Sequence, residues 1–176
     1  VNTVDLNEFK FKVYFTTLKS SGLILMVQTI TLGYLVIYLE NGVVKVDLAH
    51  NLNSPVVQIV SHTGNLNDGS DHKLEVVVSR FSNSLTLIIN EDEERSVDAG
   101  IHAQPLDQVV HICMGGLSPK VLQVYKNSEL QSFLRTALDF RGCLIEPMVN
   151  SKDITGPSFL HNVIYGCLPP LPEAPV

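Results

Sequence analysis

The sequence predicts an all-β sandwich of antiparallel strands. Short apolar runs with period-two alternation recur along most of the 176 residues. Turn signals rich in Gly, Asn, Asp and Ser separate them at short intervals, and helical periodicity is scarce. Alternation of that kind puts one face of each strand into a core and leaves the other for solvent. The 45% hydrophobic content excludes general disorder, and the length suits one domain built around one core.

The elements follow in order. Phe9, Phe11, Val13 and Phe15 alternate with Lys10 and Lys12, so an opening strand turns its phenylalanines inward. Ser20-Ser21-Gly22 makes a turn. Leu23–Val27 and Tyr34–Leu39 are almost continuously apolar, which predicts strands covered on both faces. Asn41-Gly42 accepts the positive φ of a type I′ turn, so Val43–Leu48 returns as a hairpin. A loop over Asn51–Pro55 leads to a short strand over Val56–Val60.

The central stretch is Leu66–Asn90. Asn67-Asp68-Gly69 turns the chain. Leu74, Val76 and Val78 then share a face, as do Leu85, Leu87 and Ile89 after the Arg80–Ser84 connection. Val77 and Ile88 interrupt the polar side, so the outer face is expected to be partly covered. Glu91-Asp92-Glu93-Glu94 reads as a solvated loop or strand end. Val109–Met114 and Val121–Tyr125 are expected strands around a Gly115–Pro119 turn, and Glu129–Ala137 is the one expected helical piece. Asp139–Val149 and Phe159–Tyr165 close the domain. The tail 168–176, LPPLPEAPV, reads as a Pro-rich exit linker.

Charge and motifs exclude several functions. A net charge of −6 with scattered Lys and Arg argues against nucleic acid and predicts weak or no heparin binding. No apolar run reaches the roughly 20 residues a membrane helix needs. No signal-peptide pattern is found, so secretion would make this chain a processed or excised portion of a longer one. No Asn lies in an N-x-[ST] sequon. The histidines His50, His62, His72, His102, His111 and His161 lack metal-ligand spacing. His111 alternates with Val109 and Cys113 and is expected to be partly buried, and His72 is expected to be structural. No nucleophile elbow, phosphate loop or paired carboxylate is present, so no catalysis is expected. Of the three cysteines one is left over if two pair. Cys113, inside an apolar run, is expected to be a small buried hydrophobe.

Five segments in order resemble the laminin G-like (LNS) domain family. They are the Phe-alternating strand with Ser21-Gly22-Leu23-Ile24-Leu25, the Tyr34–Leu39 strand with Asn41-Gly42, and Asp68-Gly69 with His72 and Arg80. Gly115-Gly116 and Phe140-Arg141-Gly142-Cys143-Leu144 with Asn150 and Gly166-Cys167 complete the set. Asp71 stands where the family usually has Trp. The resemblance covers about Phe9–Cys167, and the domain is therefore taken as residues 1–167. It implies a two-sheet antiparallel jelly-roll sandwich, a Cys143–Cys167 disulfide worth about 3 kcal/mol and an oxidising, extracellular setting.

The resemblance also implies a calcium rim, of which Asp107 is a tentative surviving ligand. Gly33 occupies the place of the family's first carboxylate, and carbonyls near His50 and Pro105 would complete the set. A rim with one carboxylate should hold calcium weakly or not at all. Glu40 is the first candidate substitute, if its loop folds back, and Gly33→Asp is expected to restore binding that Asp107→Ala removes where the surrounding loops keep the family geometry. No other cofactor is implied. The function implied is a non-catalytic recognition module of a larger multidomain adhesion or matrix protein, with a protein or glycan partner. The alternatives are a steroid-like small molecule held between the sheets and an enzyme on a similar jelly roll.

Overall fold

In the computed structural model, residues 8–100, 109–117, 119–125, 139–150 and 152–153 are described. The strands are β1 (Glu8–Thr17), β2 (Gly22–Thr29), β3 (Tyr34–Glu40), β4 (Val43–Ala49), β5 (Val57–Val60) and β6 (His72–Ser79). They continue with β7 (Ser84–Ile89), β8 (Glu93–Asp98), β9 (Val109–Met114), β10 (Gly142–Val149) and β11 (Lys152–Asp153), with one helix, α1 (Pro119–Val124). Six strands form one sheet in the order β11-β10-β1-β6-β7-β8, and five form the other in the order β5-β4-β3-β2-β9. Their described pairings are antiparallel.

The alternating residues meet between the sheets as expected. Phe9, Phe11, Val13 and Phe15 of β1 lie beside Leu74, Val76 and Val78 of β6 and Leu85, Leu87 and Ile89 of β7 on the inner face of one sheet, in one core cluster. Leu25, Val27, Leu35, Ile37, Val44 and Val46 supply the opposite wall. Each fully buried aliphatic side chain contributes about 1.5–3 kcal/mol. Every residue of β2 is buried, because its outer face is covered too. Leu23, Met26, Tyr34, Val36, Tyr38 and Cys113 form a second cluster there with Leu117, Val121 and Tyr125. Cys113 is 6% exposed, the buried thiol that its apolar run predicts. The hairpin at Asn41-Gly42 has φ values of 51° and 78°, the pair a type I′ turn requires.

Several expectations are corrected. Residues Val121–Val124 are helical rather than extended. Pro119 occupies the first helical position, where its missing N–H costs nothing. Val121 and Tyr125, four apart, both reach the outer-face cluster at 1% exposure. A short apolar run does not distinguish a strand from one helical turn. The acidic run keeps to its expectation as a strand end: Glu93 and Glu94 open β8. His111 is exposed on β9; it sits on an edge strand among the described residues, beyond the part of the outer face that Cys113 shares with α1. The expected elements at Glu129–Ala137 and Phe159–Tyr165 and the tail 168–176 lie outside the described residues.

Candidate functional site

The sandwich has two ends. At one end β1 passes into β2 through residues 18–21, beside the Asn41-Gly42 turn and the 61–71 loop. The other end gathers the 30–33 turn, the 50–56 loop, the 80–83 turn and Ala99-Gly100. Gly33 and His50, both expected at the rim, do meet at this second end.

The 30–33 turn is closed by Thr29 N–H donating to Gly33 O at 2.9 Å and Leu32 N–H donating to Thr29 O at 3.1 Å. The Thr31 hydroxyl reaches across to the His50 carbonyl at 3.3 Å. Gly33 packs so closely on the next loop that an added Cβ would collide with the His50 carbonyl oxygen and lie 2.9 Å from Ala49 O. The 50–54 loop is held by Ser54 Oγ, which accepts from His50 N–H and Asn51 N–H at 3.0 Å each. His50 Nδ1 is buried and has no hydrogen-bond partner among the described residues.

These contacts test the rim against calcium. Gly33 supplies no carboxylate, the His50 carbonyl already accepts from Thr31, and no side chain fits between the two loops. Among the described residues no group of three or more His, Cys, Asp and Glu could hold a metal ion. Asp107 and Pro105 lie outside the described residues. Glu40 is corrected as a substitute: it ends β3 at the opposite end from Gly33, a seven-residue strand away. At about 3.3 Å per residue that is roughly 20 Å. Glu40 instead pairs with Lys45 at 3.6 Å. The described half of the rim does not fit the ion, and Gly33→Asp would meet the His50 backbone before it could offer a ligand.

His72 is structural, as expected. Asn90 Oδ1 accepts from Lys73 N–H at 2.8 Å, which orients the amide so that Nδ2 donates to His72 Nδ1 at 3.0 Å. The remaining ring nitrogen, Nε2, therefore carries the proton and donates to Asp68 Oδ1 at 2.8 Å. The ring also stacks near Phe15 with centroids 5.6 Å apart. The Ser70 N–H and then His72 hold the Asp68 carboxyl below the usual aspartate range. The imidazole is thereby committed to pinning the start of β6.

Sequence reasoning missed one polar group, on the outer face of the five-stranded sheet. Tyr38 Oη donates to Asp47 Oδ2 at 3.0 Å, and Gln58 Nε2 donates to Asp47 Oδ1 at 2.7 Å and to Tyr38 Oη at 3.2 Å. Burial raises the Asp47 carboxyl above its usual range despite the bonds from Gln58 and Tyr38. Burial and then Asp47 push the Tyr38 phenol far above neutrality. The phenol keeps its proton while both Asp47 oxygens accept hydrogen bonds, so the trio braces β3, β4 and β5. Its sequence signal is the pair of polar positions, Asp47 and Gln58, on mainly apolar strands.

Residues 15–152 match the sequence family described as the Laminin G domain. The chain belongs to the laminin G domain family. No individually curated protein matches the sequence. Among solved structures, the fold is similar to mouse laminin α1 chain domains LG4-5, with a TM-score of 0.67 and 20% identity over 87% of this chain. It is also similar to the LG1-3 region of the laminin α2 chain, with a TM-score of 0.64 and 16% identity over 88% of this chain. The chain spans 38% and 30% of those two structures. A third similar fold is the carbohydrate-binding module CBM40 of the Ruminococcus gnavus IT-sialidase bound to α2,3-sialyllactose. Its TM-score is 0.57 and its identity 14%, over 85% of this chain and 78% of that one. These likenesses establish the jelly-roll sandwich; they carry no ligand to this laminin G domain.

Proposed function

We propose that this laminin G domain is a non-catalytic recognition module of an extracellular multidomain protein, binding a protein or glycan partner through its surface. The observation that carries the reading is a filled interior. Phe11, Phe15, Leu25, Ile37 and Leu87 close the space between the sheets at 0% exposure each. A steroid-like ligand between the sheets would need that space lined and open. The Asp68–His72–Asn90 and Tyr38–Asp47–Gln58 groups are spent on structure, which supports a domain without catalysis. A Cys143–Cys167 disulfide and a calcium rim reduced to Asp107 belong to the same proposal. Cys143 is the second residue of β10, paired with Thr16 of β1, while Cys167 lies outside the described residues.

The experiment is a cell-surface interaction screen with the domain as bait, run with calcium and with chelator. The expected result is a saturable protein or glycan partner whose binding is indifferent to calcium. Turnover of an offered polysaccharide, or saturable uptake of a steroid, would overturn the reading.

A further inference from the structure

Asn41-Gly42 is the one Asn-Gly pair in the 176 residues. Glycine carries no Cβ to shield its backbone nitrogen, so in an Asn-Gly pair that nitrogen can attack the asparagine side-chain amide. In this fold the nitrogen is occupied. Gly42 is buried, and its N–H donates to Ser20 O at 2.9 Å. Its carbonyl accepts from Leu66 N–H at 3.0 Å. One glycine thus joins the 18–21 loop, the β3–β4 turn and the 61–71 loop. A Cβ there would lie 2.7 Å from Asn67 Oδ1 and 3.3 Å from Asn65 N. On the β4 side Ser61 seals the junction, its Oγ accepting from Val44 N–H at 3.0 Å and donating to Thr63 O at 2.9 Å. Asn41 itself is exposed.

The electrophile is therefore open to solvent while the nucleophile is sealed. Attack requires the Gly42 nitrogen to give up its proton, and a buried N–H held by a carbonyl offers that proton to no base. The rate is then set by the population in which this end is open, as it is for amide hydrogen exchange. On opening, a bond forms between the Gly42 nitrogen and Asn41 Cγ, and the Cγ–Nδ2 bond breaks. Nδ2 leaves as ammonia with the proton from the Gly42 nitrogen. Water then opens the cyclic imide. Cleavage at Cγ leaves aspartate in place of Asn41, and Asp-Gly suits a type I′ turn as Asn-Gly does. Cleavage at the main-chain carbonyl leaves isoaspartate, which carries the backbone through an extra methylene. That lengthens a two-residue turn and displaces Gly42 from Ser20 and Leu66.

We propose that Asn41 is a fold-gated modification site. Transient opening of this end of the sandwich commits Asn41 to isoaspartate, which keeps the three-loop junction from closing again. The reaction needs no partner but water, and the proposal is independent of the recognition-module reading. It gives the Asn-Gly pair a role beyond turning the chain, as a one-way record of opening at this end.

The test follows Asn41 by peptide mass spectrometry at neutral pH in three samples: the folded chain, the chain unfolded in urea, and a synthetic peptide of residues 36–48. Conversion in the folded chain should be at least tenfold slower than in the peptide, and the unfolded chain should match the peptide. Ser61→Ala loosens the seal without touching the reacting pair and should raise the folded rate at least threefold, with a thermal melt confirming that the variant is folded. If it does not fold, urea below the unfolding transition takes its place and should give the same rise. Conversion as fast in the folded chain as in the peptide overturns the gate. A folded rate that neither Ser61→Ala nor low urea moves overturns the junction as its control. No conversion in a folded chain whose Gly42 amide exchanges with deuterium overturns the site. The isoaspartyl chain, separated by chromatography, should melt below both the unmodified chain and Asn41→Asp, which adds the same charge without the methylene. Equal melting of the isoaspartyl chain and Asn41→Asp overturns the claim that the product holds this end open.

Discussion

Gly33 shows how one residue sets the chemistry of the rim. It offers no carboxylate, and its missing side chain lets the 30–33 turn close onto the His50 carbonyl. Restoring a carboxylate by Gly33→Asp therefore adds a clash before it adds a ligand. The expected outcome is a loss of about 1–3 kcal/mol, the usual cost of forcing atoms into a packed site. Calcium should not restore the lost stability, because a ligand stabilises only a state that binds it. Urea unfolding of Gly33→Asp with and without calcium checks this; full recovery in calcium would show that the loops can part. His72 illustrates a different residue-level constraint. Its hydrogen bonds to Asn90 and Asp68 assign each ring nitrogen one role, so a histidine placed in a family motif serves the fold.

At the scale of elements, β8 does what its acidic sequence conceals. The Glu93 carboxylate accepts from His62 N–H, from Thr63 N–H at 2.9 Å and from the Thr63 hydroxyl at 2.6 Å. Arg95 on the same strand donates to Val60 O at 2.5 Å. Together they tie the edge of the six-stranded sheet to the exit of β5 at the edge of the other sheet, which covers two edges that would otherwise be open. Burial raises the Glu93 carboxyl somewhat, but the bonds from Thr63 and His62 outweigh it and leave it below its ordinary value of 4.5. A carboxyl lowered in the folded state stabilises fully above its unfolded value, and that contribution is lost as pH falls through the folded value. Urea unfolding should therefore find Glu93→Gln less stable than wild type at neutral pH. The gap should narrow as pH drops below about 4.5 and through the lowered folded value. A gap constant across the acid range would show that the charge contributes nothing. Just past α1 the decisive contact is likewise distant in sequence: Tyr125 meets Tyr34 edge-on at 5.6 Å, and that packing surface favours one helical turn over another strand.

At the scale of the whole molecule, the sandwich rests on two apolar layers, and the proposed disulfide adds to them without replacing them. Peptide mapping without reductant is expected to recover Cys143 joined to Cys167, with Cys113 protected from thiol reagents until the fold is opened. Reduction should lower the melting temperature by removing about 3 kcal/mol, while far-ultraviolet dichroism keeps its β signature. A bridge containing Cys113 would refute the pairing. The filled core also explains why the proposed recognition falls to the surface: with Phe11, Phe15 and Ile37 buried in one cluster between the sheets, only ends and faces remain for a partner.

Alternation in the sequence determined the strands from Phe9 to Phe15 and from Leu74 to Ile89, since side chains in a strand point to opposite faces in turn. The continuous apolar runs at Leu23–Val27 and Tyr34–Leu39 likewise announced a sheet covered on both sides, and Asn41-Gly42 announced its turn. These are local properties, fixed by backbone geometry within a few residues. Tertiary structure alone decided that Val121–Val124 coils, that Glu93 clasps a loop 30 residues away, and that Tyr38, Asp47 and Gln58 hydrogen-bond one another. It also decided that Gly33 closes the rim on His50. Each of these depends on which distant segments the packing of two sheets brings within a few ångströms, and no pattern of neighbouring residues encodes that distance.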